Sequence, residues 1–339
     1  MIVIDGSYGE GGGQILRTAL ALSLFTGKPF KLEKIRANRN PGGLQQQHLT
    51  CVNAAATIGD AEVKGNDRGS QELIFEPGKV KAGRYQFEVG TAGSTTLVLQ
   101  TVLPPLMVGK EESNISFSGG THNPHAPPYD YIHDTYAGVL QKFGPHLTLN
   151  LERLGFYPPG GGKFSAKIKP AEKLEQLELL RRGKVMRRSA RALLVRLSQR
   201  IGQRELDYVR NNMPDWGSGE LRLDITDNAI SSGNALTIQL ECEHVTETFC
   251  SIGTRGLPAE KVAEAAVLYA SRYLESNAMV GEFLADQILI PMAMAGGGTY
   301  TADMVSKHTE TNIWAIKKFL DVDVSIAHED MHERLTVRS

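Results

Sequence analysis

Three apolar runs in this chain, each entered through a glycine, carry one polar or charged side chain near their centre. They are Arg17 in Q-I-L-R-T-A-L-A-L after Gly13, Gln100 in L-V-L-Q-T-V-L after Gly93, and Asp286 in F-L-A-D-Q-I-L-I after Gly281. Such a group costs free energy in an apolar setting unless it finds a partner or a ligand, so three in matching contexts point to one shared site built by repetition. The spacing agrees. A second helical pattern follows each run, begins with a histidine and leads into a short strand: His48 to E-V-K, His133 to L-T-L, and His308 to V-D-V-S-I. Arg17 and Gln100 are 83 residues apart and His48 and His133 are 85 apart. The next intervals, Gln100 to Asp286 and His133 to His308, are 186 and 175, so 90 to 103 extra residues separate the second unit from the third.

The insertion falls between about 182 and 276. Its pattern reads strand (A-R-A-L-L-V-R-L), helix (Gln203 to Asn212), strand (E-L-R-L-D-I), two further strands (A-L-T-I-Q-L and T-F-C-S-I), and a helix from Pro258 to about Ser276. Proline in a first helical turn, followed by A-E-K-V-A-E-A-A-V-L-Y, is a helix start signal. The spacing therefore predicts an α+β or α/β chain of 339 residues in two domains: residues 1–181 carry units one and two, 182–276 form a small α/β domain, and 277–339 carry unit three.

A net charge of −1, from 37 basic and 38 acidic residues, excludes a global basic field for nucleic acid. Locally, Arg181 to Arg200 holds eight basic residues and no acidic one, either a solvated face at a domain junction or a phosphate contact. Cys51, Cys242 and Cys250 form no C-x-x-C pair, which fits a reducing compartment and argues against zinc. The M-I-V-I-D-G start lacks a basic n-region and no run of 18 apolar residues occurs, so no membrane insertion is expected and a cytoplasmic location is.

Glycines cluster at Gly9 to Gly13, Pro41 to Gly43, Pro158 to Gly162 and Ala295 to Gly298, where backbone N–H groups could approach an anion. None is a Walker A loop or a dinucleotide fingerprint. Glu10, set among the first glycines, is a candidate ligand for Mg2+ or Mn2+, which commonly take one carboxylate plus substrate phosphates. Arg17, Arg36, Arg39, Gln47 and His48 lie within about thirty residues, and forked guanidiniums match phosphate, so a polyphosphate or nucleic-acid end is a candidate ligand. His308, in S-K-H-T-E-T-N, is the candidate for chemistry: a neutral imidazole can attack phosphorus and pass the group on. Spacing alone leaves nucleophile, acid, base and cap all open for it.

The chain resembles the RNA 3'-terminal phosphate cyclase family over essentially its whole length. The residues that carry the resemblance are D-G-S-Y-G-E-G-G-G-Q-I-L-R (Asp5 to Arg17), G-T-A-G-S-T-T-L-V-L-Q-T-V-L-P (Gly90 to Pro104), S-G-G-T-H-N-P-H-A-P-P (Ser118 to Pro128), G-F-Y-P-P-G-G-G (Gly155 to Gly162), V-G-E-F-L-A-D-Q (Val280 to Gln287) and K-H-T-E-T-N around His308. The resemblance implies a large domain of three units similar to the C-terminal domain of translation initiation factor 3, with an inserted thioredoxin-like domain. It implies ATP as co-substrate and RNA 3'-phosphate ends as partner, with His308 adenylylated and AMP then handed to the RNA. Glu10 would hold the divalent metal. Gln100 and the stretch Phe283, Leu284, Ala285, Asp286 and Gln287 would contact ATP, with Phe283 and Pro128 sandwiching adenine. Arg17, Arg36, Arg39, Gln47 and His48 would bind the phosphates of ATP or of the RNA end. Where some members carry tyrosine this chain has Phe283, which keeps stacking and loses a hydroxyl. Two other readings are a non-catalytic relative that binds during ribosome assembly, which lacks the histidine, and an enolpyruvyl transferase, which needs other residues. The sequence leaves the physiological RNA, the preferred metal and the oligomeric state open, a homodimer among the options.

Overall fold

The computed structural model describes residues 1–90 and 92–339; Thr91, inside the second motif, lies outside the described residues. The chain opens with β1 (Ile2–Asp5), α1 (Gln14–Thr26), β2 (Phe30–Glu33), α2 (Gln46–Gly59), β3 (Glu62–Lys64) and β4 (Leu73–Glu76). It continues with β5 (Arg84–Glu88), α3 (Thr95–Leu106), β6 (Ser113–Gly119), α4 (Tyr129–Tyr131), a π-helical turn (Ile132–Tyr136), α5 (Ala137–Lys142), β7 (His146–Arg153) and β8 (Gly162–Lys169). After β9 (Leu177–Leu179) come β10 (Val185–Val195), α6 (Gln199–Asn212), β11 (Glu220–Thr226), β12 (Gly233–Cys242), β13 (Thr246–Ile252) and α7 (Ala259–Ser276). The last stretch is α8 (Glu282–Gln287), α9 (Leu289–Met294), β14 (Gly297–Ala302), α10 (Lys307–Phe319), β15 (Asp323–Glu329) and β16 (His332–Arg338).

These strands make four mixed, four-stranded sheets among the described residues, so the chain is a mixed α/β protein. Three sheets have orders β1-β2-β4-β3, β5-β6-β8-β7 and β9-β14-β16-β15. In each, the first two strands pair parallel and the other two pairings are antiparallel. A parallel pair needs a crossover, and α1, α3 and α8–α9 each lie in sequence between the two strands of such a pair. β9 edges the sheet of β14 to β16, with Gly298 opposite Leu177, its hydrogen bonds taken up by the open parallel edge of β14.

The crossover helices form the core. α1 packs on α2, α3 and α10, and nearly every side chain from Ile15 to Leu24 is buried. Gly27 ends it in a left-handed turn (φ 69°), its N–H donating to the Ser23 carbonyl. Ser94 and Ser306 cap α3 and α10, their hydroxyls accepting from the N–H groups of Leu97 and Thr309. One apolar core joins these helices to all three sheets.

The fourth sheet, β11-β10-β12-β13, has its own core, in which Ala190, Ala192, Leu236, Ile238 and Leu240 meet Leu206 and Val209 of α6 and Val262, Ala266 and Tyr273 of α7. Its helix α6 starts at Gln199 rather than Gln203, because the Ser198 hydroxyl caps the earlier turn. The basic run from Arg181 to Arg200 is substantially spent on structure. Arg182 is buried and donates to the carbonyls of Tyr273 (2.8 Å) and Leu274 (2.7 Å) at the end of α7. Arg187 pairs with Glu220 and Glu241, Arg191 with Asp130 at 2.5 Å, and Arg196 with Asp227 at 3.7 Å. Among the described residues no helix is long and apolar enough to cross a membrane.

One buried carboxyl in this sheet's core gives a stability test. Glu205 is fully buried; its Oε2 accepts from Asn234 Nδ2 at 3.1 Å while Oε1 has no partner among the described residues. Burial pushes its pKa from 4.5 to about 7, so the folded chain holds a proton that the unfolded chain releases. Stability from this group is present below pH 4.5 and is lost as pH rises to about 7. Glu205→Gln should therefore gain on the wild type by roughly 1.4 kcal/mol per pH unit over that window and level off above it, read by denaturant melts from pH 4.5 to 8.5.

Candidate functional site

The turn between β1 and α1 is shaped from within. Asp5 Oδ1 accepts from the Ser7 backbone (2.9 Å) and hydroxyl (2.6 Å), which folds the chain back toward α10. Gly9 then sits at φ 58° so close to α10 that a Cβ there would lie 2.2 Å from Thr311 Oγ1. The next residue, Glu10, donates its N–H to the same hydroxyl at 3.3 Å. This close approach points the Glu10 carboxylate at His308, the second residue of α10: Nδ1 of His308 lies 3.1 Å from Glu10 Oε2, and Arg39 Nη2 lies 2.8 Å from Oε1.

A second hydrogen-bonded chain fixes the same imidazole. Gln14 Oε1 lies 2.9 Å from His308 Nδ1, and Gln14 Nε2 donates to Asp286 Oδ1 at 2.6 Å and to the His308 carbonyl at 3.1 Å. Asn312 Nδ2 donates to the Asp286 carbonyl (2.9 Å) and its Oδ1 accepts from Thr18 Oγ1 (2.8 Å), which ties α1, α8 and α10 together. With a carboxylate and an amide oxygen both facing Nδ1, that nitrogen carries the proton and the neutral ring has its lone pair on Nε2.

The charges respond to this packing. The hydrogen bond that Nδ1 donates to Glu10 raises the His308 pKa above 6.5, and the same contact lowers that of Glu10. Burial pushes Asp286 up to about 6 against the opposing pull of His308, Gln14 and Arg17. Arg17 is half-buried, burial lowers its pKa, and among the described residues its guanidinium makes no hydrogen bond or ion pair. It shares a niche with His48: a Cβ on Gly13 would stand 2.5 Å from His48 Nε2 and 2.8 Å from Arg17 Nη1, so only glycine leaves room for both. His48 caps α2, its Nδ1 accepting from the Gln45 N–H at 3.1 Å, and burial followed by Arg17 and Arg36 pushes it down to about 3. It is neutral at physiological pH.

Glu10, Arg39, Asp286 and His308 are thus linked, directly or through Gln14, around α1, α8 and α10, and Arg17 and His48 lie beside Gly13 at the start of α1. Gln100 reaches the same region, donating to Gln287 Oε1 at 2.5 Å. Arg36 (φ 52°) donates to the carbonyls of Pro41 and Gly43 and shapes the loop that carries Arg39. Gln47 is spent at the start of α3, its Oε1 accepting from the Ser94 N–H at 3.1 Å. Leu284 and Ala285 turn into the core, and the Ala285 carbonyl accepts from Tyr300. Phe283 is 43 % exposed and meets Tyr269 edge-on at 5.1 Å. Pro128 precedes α4, leading into the π-turn against which α8 packs.

His133 does not join the cluster. It lies inside the helical run from 129 to 142 rather than at its start, pairs with Asp134 at 2.5 Å and stacks on Tyr129. The residues of the site that sequence reasoning passed over are Gln14, Thr311 and Asn312. Their signal was helical: Gln14 is three residues before Arg17, and Thr311 and Asn312 are three and four after His308, which places each beside its partner on one face.

An imidazole held between a carboxylate and an amide, near a guanidinium whose donors make no hydrogen bond among the described residues, in a mixed α/β frame, defines a site suited to chemistry at phosphorus. The family described as RNA 3'-terminal phosphate cyclase matches residues 8–326. The RNA 3'-terminal phosphate cyclase of Koribacter versatilis is 51 % identical over 337 residues, covering 99 % of this chain and 95 % of that protein. Those of Ralstonia nicotianae and Ectopseudomonas mendocina are 46 % and 43 % identical, covering 97 % and 95 % of this chain and 94 % of each relative. The chain belongs to the RNA 3'-terminal phosphate cyclase family.

Proposed function

We propose that this protein converts an RNA 3'-terminal phosphate into a 2',3'-cyclic phosphodiester at the expense of ATP, through an adenylate carried on His308. The observation that carries the reading is the hold on Nδ1 of His308 by Glu10 and Gln14, which leaves the Nε2 lone pair for attack beside the unpaired Arg17. In the first step Nε2 forms a bond to the α-phosphorus of ATP as the bond to the bridging oxygen breaks and pyrophosphate leaves. Arg17, with Arg39 and Arg36, supplies donors to the negative charge that spreads over the phosphoryl oxygens. An oxygen of the RNA 3'-phosphate then attacks that phosphorus, the P–N bond breaks, and His308 returns to its neutral form. Finally the vicinal 2'-OH attacks the terminal phosphorus and AMP departs.

Asp286, through Gln14, holds the backbone and ring of His308 in place, and Phe283 offers exposed apolar surface for adenine, while Pro128, the other half of the expected sandwich, is buried. Gln100 and Gln287 present amides on the same side, and Gln47 and His48 line the α2 end of the site. Glu10 suits a divalent ion that brings its own phosphate and water ligands: it is a single carboxylate, and among the described residues no group of three or more His, Cys, Asp or Glu could hold a metal ion alone. Mg2+ or Mn2+ there would neutralise phosphate charge.

The shared strand order of three sheets supports reading them as three copies of one unit, similar to the translation initiation factor 3 C-terminal domain. Residues 182–276 are then a thioredoxin-like insertion within the third copy, after β9, and 277–339 complete that copy. The presence of His308 with Glu10 disfavours the non-catalytic ribosome-assembly reading.

The deciding experiment incubates the protein with ATP, Mg2+ or Mn2+ and an RNA bearing a 3'-phosphate, and follows the end group. A cyclic end should form with AMP and pyrophosphate. An RNA ending in 2'-deoxyribose 3'-phosphate should accumulate as the adenylylated strand without cyclising, since it lacks the nucleophile. Formation of no cyclic end on the ribose substrate rejects the proposal.

A further inference from the structure

The glycine-rich turn carries an aromatic side chain that neither the core nor the proposed adenylylation uses. Tyr8 stacks on Trp314 with ring centroids 4.2 Å apart and planes 13° from parallel, yet it remains 45 % exposed. With one face on the indole, that exposure belongs to the opposite face and edge. Lys318 lies 5.0 Å from the Trp314 ring and sets a positive charge beside the pair.

The position of this stack is fixed relative to His308 from two directions. Trp314 is six residues past His308 on α10, about 9 Å along the axis. Tyr8 is two residues before Glu10, whose carboxylate bonds His308, and Gly9 presses the turn between them onto Thr311. The turn is closed by the Gly11 N–H donating to the Tyr8 carbonyl at 2.9 Å. A ring presented in this way, pre-stacked, flanked by a cation and carried on the turn that brings Glu10 to His308, has the make-up of a stacking surface for single-stranded nucleic acid.

We propose that Tyr8, backed by Trp314, is a subsite for a base at the 3' end of the RNA substrate, stacking it so that the terminal phosphate reaches the adenylate on His308. The inference rests on the cyclase reading for its ligand. Stacking is indifferent to base identity, so the subsite accepts any terminal nucleotide and discriminates single-stranded from paired ends.

The test measures binding of a fluorescent single-stranded RNA 3'-phosphate by anisotropy, and separately the labelling of the protein by α-labelled ATP without RNA. Tyr8→Ala should weaken RNA binding roughly tenfold, Tyr8→Phe and Tyr8→Trp should restore it, and ATP labelling should persist because that step needs no RNA. RNA binding by Tyr8→Ala equal to wild type overturns the proposal. So does a loss of ATP labelling in Tyr8→Ala, which would make the ring a prop for Glu10, or a raised KM for ATP alone, which would make it an adenine contact. Absence of labelling in the wild type would sink the cyclase mechanism instead, while the anisotropy series would still decide whether Tyr8 stacks RNA.

Discussion

His308→Ala abolishes covalent AMP and with it formation of the cyclic end, a loss in rate of about 10^4-fold or more, as expected when a nucleophile is removed outright. The fold should survive the change. His308 is half exposed, and among the described residues its ring has Glu10 and Gln14 as polar partners, both of which can turn to water once the ring is gone. Gel analysis after incubation with α-labelled ATP and divalent metal, alongside a thermal melt, reads both outcomes. Label persisting on His308→Ala would move the nucleophile elsewhere and reject the mechanism. Label lost together with the melting transition would say only that the variant is unfolded, so His308→Asn, which keeps a polar side chain of similar reach, provides the second arm and should also carry no label.

Arg17→Ala should cost about 10^2 to 10^3-fold in the rate of adenylylation, the range seen when one preorganised donor to a developing charge is removed. The stability effect runs the other way. A half-buried guanidinium that makes no hydrogen bond or close ion pair among the described residues is a cost to the fold: burial lowers its pKa, and the more distant Glu10 and Asp286 offset this only in part. Arg17→Met should therefore match or exceed the wild-type melting temperature while losing the same activity, a trade between stability and function expected at a preorganised anion site. Arg17→Lys should recover little, because a point charge does not reproduce a planar fork. A melting temperature that falls sharply in Arg17→Met would mean that the guanidinium has a structural partner, and an unchanged rate would remove it from the phosphate site.

Much of the site was legible in the linear pattern. A charged residue stranded in an apolar run must be served by something, and that argument singled out Arg17, Gln100 and Asp286 before any geometry was known. It was less successful with His133. Equal spacing suggested equivalence with His48 and His308, but a π-turn moves His133 inside a longer helical run, where Asp134 and Tyr129 take it up. Gln47 also bonds the start of α3, its Oε1 accepting from the Ser94 N–H, a link between helices that local sequence does not show. The basic run from Arg181 shows the same limit, since the carboxylates and carbonyls that absorb its charge are far away in sequence.

By itself the amino-acid order determined the elements and the groups capable of chemistry, because helix periodicity, glycine punctuation and an imidazole two residues past a capping serine are local properties. Which of those groups act together was decided only in three dimensions. Glu10 and His308 are separated by almost the whole chain, and their hydrogen bond exists because Gly9 has no side chain to keep the turn off Thr311. The tautomer of His308, the raised pKa of Asp286 and the lowered pKa of Arg17 follow from that approach and from burial, which are properties of the packed chain.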